Sequence, residues 1–442
     1  MKNIIKAVEK NRQKILDAEQ YIWAHPETGY KEYQTSAYLE TEFKNLGYEL
    51  VLAENIPGFY TVIDTGRPGP ELLILGELDS VICPTHKDSN TETGAVHSCG
   101  HNVQCAALLG LACALKEPGV LESLSGKIKL CAVPAEELLE IEFRRDLQQK
   151  GIIKYFGGKT EFLHRGYFDG VDLAFMVHAS NIARVRIGSV GLIAKNIVYK
   201  GLAAHAGGTP WAGKNALYAA TCGINAVNAI RETFKEEDII RFHPIITSGG
   251  AIVNAIPEEA RIETYVRGKT FDSILTENKK INQALCGAAL SLGCNIEIVD
   301  IPGYAPLVNA SDMIDVCIEA FNMAIPNKEI VYEKVISSGS TDMGDLSSIM
   351  PVVHPYIGGI IGKGHGNDYM VADKEHACID NVKWQMTMIK LLLSDGAKRA
   401  KGIVANFVPT FKSKKEFLDF QDSINDQGDR IVYENGVAKI RI

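Results

Sequence analysis

Apolar residues at Ile4, Ile5, Val8, Ile15, Ala18 and Ile22 recur at the three-to-four spacing of one helix face, so residues 2–23 are predicted to be helical up to the His25-Pro26 pair. A second helix is expected in TSAYLETEFKNLG, with Thr35 as its N-cap and Gly47 closing it. The pattern then shortens. Residues 59–64, 71–76, 127–133 and 172–177 are brief apolar runs bounded by turn residues, and 101–116 among them has the length of a helix. Short apolar strands alternating with helices predict an α/β fold whose mostly parallel sheet is flanked by helices.

Near residue 190 the pattern changes. A long strand at 191–200 leads into GLAAHAGGTP, followed by a helix at 215–234, strands at 243–253 and 260–266, a helix at 271–292 and a strand at 294–300. This order predicts a compact α+β unit over 190–302, inserted into a discontinuous first domain of 1–189 and 303–442. The last 35 residues are charged and weakly periodic, and are expected to form a terminal extension.

Composition narrows the function classes. The chain has 442 residues, 46% hydrophobic and 23% charged, which is enough apolar content for a large core. Its net charge is −8 and it has no Lys/Arg block, which argues against nucleic acid as a partner. The first residues lack the pattern of a secretory leader and no run reaches 18 apolar residues, so no membrane span is expected. Ten cysteines are scattered without a CxxC pair, and Cys113 and Cys131 sit in apolar runs. Apart from Cys99, they are read as small buried hydrophobes in a reducing, cytoplasmic setting.

The ionisable residues fall at predicted strand ends, where an open α/β sheet places its ligands. LLILGELD ends in Glu77 and Asp79, IKLCAVPAEE in Glu136 and Glu137, and DLAFMVH in His178. HSCGHN, at the mouth of a helix, supplies His97, Cys99 and His101, and GIIGKGHGND supplies His365 far downstream. A single histidine of this kind is usually structural; the joint pattern points to a metal. Thiolate, imidazole and carboxylate together suit zinc, and imidazole with carboxylate accepts manganese or cobalt. Two adjacent carboxylates such as Glu136 and Glu137 do not coexist cheaply. A cation can neutralise one while the other acts as base toward a water.

The ordered set HSCGHN, PAEE, a histidine after an apolar strand, GLAAHAG, VNAIPEEARIETYVRG, GSTDMGD and a late GHG resembles one family. It is the zinc- or manganese-dependent amidohydrolase and metallopeptidase family of aminoacylases, glutamate-releasing carboxypeptidases and auxin-conjugate hydrolases. Within it the chain is most similar to aminobenzoyl-glutamate hydrolase-like and β-alanyl-lysine dipeptidase-like proteins. The resemblance implies hydrolysis of the amide bond of a small N-acyl amino acid or dipeptide-like substrate. It implies one or two Zn2+ or Mn2+ ions per subunit, held by Cys99, His101, Glu137, His178 and His365, with Glu136 as general acid/base. It also implies that 190–302 is a lid that forms a homodimer, with His205 stabilising the oxyanion in the partner's site. Asn254, Arg267, Ser340 and Thr341 match positions that bind substrate.

Three departures stand out. Glu77 occupies a strand end where relatives of the GHxD type carry a metal-binding histidine. Val103-Gln104 replaces the further histidine of auxin-conjugate relatives, and the stretch from Leu138 to Tyr167 is longer than the resemblance leads one to expect after PAEE. Two other readings compete: an auxiliary subunit of a heteromeric amidohydrolase, and a thiol hydrolase with Cys99 as nucleophile and His101 as base. Retention of every implied ligand and of Glu136 opposes the first. The two-residue spacing, with no third orienting residue, opposes the second.

Overall fold

The structure, a computed structural model, describes residues 2–435 and 437–442. A six-stranded mixed sheet forms its centre, ordered Val51–Leu52, Phe59–Asp64, Lys127–Val133, Glu71–Glu77, Leu173–Phe175 and Val352–Val353. The last four run parallel, with Glu77 opposite Val133, Ile74 opposite Phe175 and Val353 opposite Phe175. Their carboxyl ends therefore open on one edge. The central strands are buried along almost their whole length, which is why they read as unbroken apolar runs.

The helix His101–Leu115 is buried at every position and packs against the Glu71–Glu77 strand and the helices Arg12–Trp23 and Asn381–Leu393. Two helix expectations change. The first helical stretch breaks at Asn11 into Lys2–Lys10 and Arg12–Trp23. The second helix starts at Tyr33, not after Thr35, because the Glu27 carboxylate accepts the amides of Gln34 and Thr35 and caps the turn from outside.

The inserted segment builds a second, antiparallel sheet. Its order is Arg241–Phe242, Glu259–Gly268, Gly191–Lys200, Asn295–Pro302 and Asp426–Asp429, with Ile245–Ser248 also pairing Glu259–Gly268. The helices Ala216–Ile230 and Phe271–Ser291 cover one face. Asn215 caps the first, and a Thr270–Ser273 capping box opens the second. The opposite face, through Leu192, Ala194, Val299 and Ile301, joins an apolar cluster with Leu138, Ile141, Ile153 and Phe156.

The C-terminal extension is ordered. It forms the helix Lys414–Ile424, and its strand Asp426–Asp429 pairs with Asn295–Pro302. The sequence of that strand is DQGD, which has no strand propensity. Backbone pairing to an available edge explains it, and explains why no periodicity announces it.

Candidate metal centre and active site

Each candidate ligand is delivered by a strand end or the turn beyond it. Gly100, with φ of 95°, lets the chain turn sharply from Cys99 into the helix that starts at His101. Pro134 to Glu137 follow the Lys127–Val133 strand, and His178 begins a short strand after Leu173–Phe175. His365 comes from a distant turn whose amide donates to Ser98 O at 2.8 Å.

These side chains converge in two groups that share one residue. Ligand atoms of Cys99, His101 and His178 lie within 4.8 Å of one another, as do those of Cys99, Glu137 and His365. Cys99 Sγ is 3.4 Å from His178 Nε2, and His365 Nε2 is 2.9 Å from Glu137 Oε1. The histidines are aimed. His101 Nδ1 contacts Asp79 O at 2.9 Å and Asp79 Oδ1 at 3.1 Å, and His178 Nδ1 lies 2.8 Å from Ala179 O. In both rings Nδ1–H is the natural donor to its carbonyl, which leaves Nε2 as a lone pair facing the group. His101 Nε2 is buried and, although 3.2 Å from Glu77 Oε2, makes no hydrogen bond. A buried, aimed nitrogen without a partner, beside a thiol and carboxylates, fits a divalent cation.

The electrostatics agree. Burial and Glu137 raise the Cys99 thiol, but His101 and His178 outweigh them and bring it down to about 6. Burial raises Glu137, yet the adjacent His365 brings it to about 2, and Glu137 in turn raises His365 to about 11. The site's own groups thus form thiolate–imidazolium and carboxylate–imidazolium pairs. A divalent cation would take the place of those protons at the same atoms, because its ligands must be deprotonated to bind it. Glu136 behaves differently: burial, then Glu77 and Glu137, push it well above the usual carboxylate range. It lies 3.9 Å from His101 Nε2 and faces the cavity.

That cavity has a volume of about 310 Å³. Glu136, Arg267, Ser340 and Thr341 line it, with Tyr265 and Tyr356. Arg267 Nη1 donates to Ser340 Oγ at 3.1 Å and its Nε lies 3.2 Å from His243 Nε2. Of the residues singled out in the sequence, Cys99, His101, Glu136, Glu137, His178, His365, Arg267, Ser340 and Thr341 come together here.

His205 and Asn254 do not. They meet on the inserted segment, where Ala206 N donates to Asn254 O at 2.9 Å and His205 bridges Ala255, and neither lines the cavity. The amides of Gly207 and Gly208 donate to His205 Nδ1 at 3.2 and 2.8 Å. With Nδ1 accepting these amides, the ring N–H is at Nε2, free to donate outward.

Some site residues leave no local mark in the sequence. Lys159, fully buried, bridges Glu77 and Asp342, and with His101 brings Glu77 down to about 2 despite its burial. Glu77 thus stands as a paired structural carboxylate beside the ligands. His354, which the motif reading passed over, also lines the cavity, and burial lowers it to about 3, so it is neutral. Its signal was present: PVVHP repeats the strand-end histidine pattern of FMVHA, and its strand pairs in parallel with the one that leads to His178.

A parallel sheet that gathers thiol, imidazole and carboxylate groups at its strand ends, with an antiparallel unit inserted in the chain, defines a two-domain α/β protein with a candidate metal centre. The sequence profile of peptidase family M20/M25/M40 matches residues 73–394, and the chain belongs to that family. It is 30% identical to the mouse Xaa-Arg dipeptidase over 268 residues, 59% of this chain and 57% of that one. It is 26% identical to one of the p-aminobenzoyl-glutamate hydrolase subunits of Escherichia coli over 300 residues, 66% of this chain and 58% of that one. The chain thus spans little more than half the length of these relatives. The fold matches the crystal structure of a dinuclear metal binding peptidase of Bacillus subtilis, with a TM-score of 0.63 at 19% identity, covering 87% of this chain and 99% of that one.

Proposed function

We propose that the chain is a metal-dependent amidohydrolase that cleaves the amide bond of a small N-acyl amino acid or dipeptide-like substrate. One observation carries the reading: two potential ligand groups sharing Cys99 meet a buried carboxylate, Glu136, at the floor of a cavity of small-molecule size that also holds Arg267. The relatives' names, a dipeptidase and an aminobenzoyl-glutamate hydrolase, point to the same bond class.

Cys99, His101, Glu137, His178 and His365 would hold Zn2+ or Mn2+, and the sharing of Cys99 supports two positions. A divalent ion held there supplies Lewis-acid polarisation of the scissile carbonyl and of the attacking water. Glu136 accepts the proton of that water at its carboxylate and returns it to the leaving nitrogen. Burial excludes bulk water from this exchange, and the raised proton affinity of Glu136 suits a group that must hold a proton between the two steps. Arg267, steadied by Ser340, offers a fork to the substrate's carboxylate, and Thr341 lines the same wall.

The unit 190–302 serves as lid and dimer contact in this reading. Around the His205 loop it exposes Trp211, Tyr218, Ile252 and Val253, with Trp211 81% exposed. Large apolar side chains in such number on one unit suit a covered face. His205 and Asn254, which do not line their own cavity, would then serve the partner's. A cytoplasmic setting fits ten cysteines that are all free.

The test is a panel of N-acyl amino acids and dipeptides, supplied with Mn2+ or Zn2+ to the chain purified alone, reading release of the free amino group. Turnover of at least one class is expected. Inactivity across the panel, with activity recovered only on adding a second, unlike chain, would favour an auxiliary subunit instead.

A further inference from the structure

The turn that carries Glu136 and Glu137 is held from outside at nearly every backbone polar group. Ala135, in the left-handed region at φ 57°, donates its amide to Glu32 Oε1 at 2.7 Å and receives Gly158 N at its carbonyl at 3.2 Å. Glu137 N donates to Asp79 Oδ2 at 2.8 Å, Tyr304 OH donates to Glu136 O, and Tyr265 OH donates to Leu138 O. The carbonyl of Glu137 accepts from Leu139 N at 2.8 Å within the turn and from Arg144 Nη2 outside it.

Arg144 is unusual among these groups. It is 1% exposed, and no direct ion pair holds it among the described residues; the carboxylates of Glu32 and Glu140 feel its charge only at longer range, and its guanidinium lies over the Tyr30 ring at 5.5 Å. Its guanidinium donates only to main-chain carbonyls: Glu137 O through Nη2, and Phe156 O at 2.6 Å with a long contact to Ala135 O at 3.5 Å through Nη1. Burying a cation without a directly paired carboxylate is unfavourable, so a packing role would be filled better by an apolar side chain. What the guanidinium adds is a planar fork that fixes several acceptors at once. Space is kept for it: a Cβ on Gly29 would lie 2.4 Å from Nη2 and 2.9 Å from Ala135 Cα. Arg144 lies on the helix Ile141–Gln149, inside the unexpectedly long stretch 138–167. That helix is tied to the inserted sheet by Arg145 Nη1 to Asn196 Oδ1 at 2.9 Å and Arg261 Nη1 to Glu142 Oε1 at 3.0 Å.

We infer that Arg144 is a positioning residue that aims the Glu136–Glu137 pair through its grip on the turn, and that the 138–167 stretch serves to bring it there. The inference rests on the proposed hydrolase reading for its kinetic consequence, but not for its effect on Glu137.

Arg144→Ala and Arg144→Lys test it, with thermal unfolding as the check on folding and two functional readouts. The first is Co2+ affinity, followed by the thiolate-to-cobalt absorption of Cys99. Removing a group that orients a ligand typically weakens binding about 10- to 100-fold. Both variants are expected to bind Co2+ about tenfold more weakly, since a lysine ammonium lacks the two-pronged geometry. The second is steady-state kinetics on a substrate found by the panel: kcat is expected to fall about tenfold with KM within about twofold. Guanidinium at non-denaturing concentration should restore part of both losses in Arg144→Ala and none in Arg144→Lys, whose side chain fills the space. A folded Arg144→Ala or Arg144→Lys with wild-type Co2+ affinity would overturn the inference. So would full recovery by lysine, which would make charge, not geometry, the requirement. If the wild-type chain turns over nothing, the hydrolase reading fails on its own, and the Co2+ readout still decides the role of Arg144.

Discussion

Glu136→Ala is expected to lower turnover by about 100- to 10,000-fold, the range for removing a positioned general acid–base, while metal content and thermal stability stay close to wild type. Glu136 is buried at the cavity floor, and burial with the neighbouring carboxylates raises its proton affinity. That is the environment of a group that handles protons. Glu137, one residue on, is drawn the other way by His365, 2.9 Å from its carboxylate. Glu137→Ala should therefore lose metal as well as activity, and the adjacent pair gives an internal control. Glu136 also falls in a third potential ligand group with Glu77 and His101. Loss of metal from Glu136→Ala would move it from the acid–base role to that of a ligand. A near-wild-type rate would remove it from the chemistry altogether.

The second large effect is expected at His205. His205→Ala should cost about 100- to 1,000-fold in kcat, typical of losing one donor to a developing oxyanion, with metal content unchanged. The amides of Gly207 and Gly208 occupy its Nδ1, so its Nε2 proton points outward as such a donor requires. Yet His205 lies outside the cavity of its own chain. The two facts are reconciled if the ring serves the partner's site. Mixing His205→Ala with Glu136→Ala should then restore part of the activity, because one site of a mixed dimer has both groups intact. No recovery, with subunit exchange shown independently, would mean that His205 serves its own chain or takes no part.

The strands that build the site were legible as short apolar runs: 59–64 and 127–133 coincide with the observed strands, and 71–76 falls one residue short of Glu77. Glu71–Glu77 and Lys127–Val133 are buried almost throughout, while Phe59–Asp64 buries every second residue, and burial is what apolar positions report. Glu137 was legible because its string sits at the end of Lys127–Val133; Cys99, His101, His178 and His365 were legible as short histidine-bearing strings beside a helix start, a later strand and a distant turn. Three things were not. The Glu77–Lys159–Asp342 network joins residues 82 and 183 positions apart, and no local pattern encodes such a pairing. Arg144 looks like any charged residue of a helix, since main-chain acceptors leave no mark on composition. The pairing of Asp426–Asp429 runs against side-chain propensity and depends on an edge that only the folded sheet provides.

Metal dependence tests the central proposal most directly. Purified chain is stripped with a chelator, metal content is measured, and hydrolysis of the best panel substrate is followed as Zn2+ or Mn2+ is returned in steps. The expected result is no turnover in the stripped protein and recovery that rises with bound metal and saturates at one or two ions per chain, with Cys99→Ala failing to recover. Full activity in protein shown to be free of metal would contradict it.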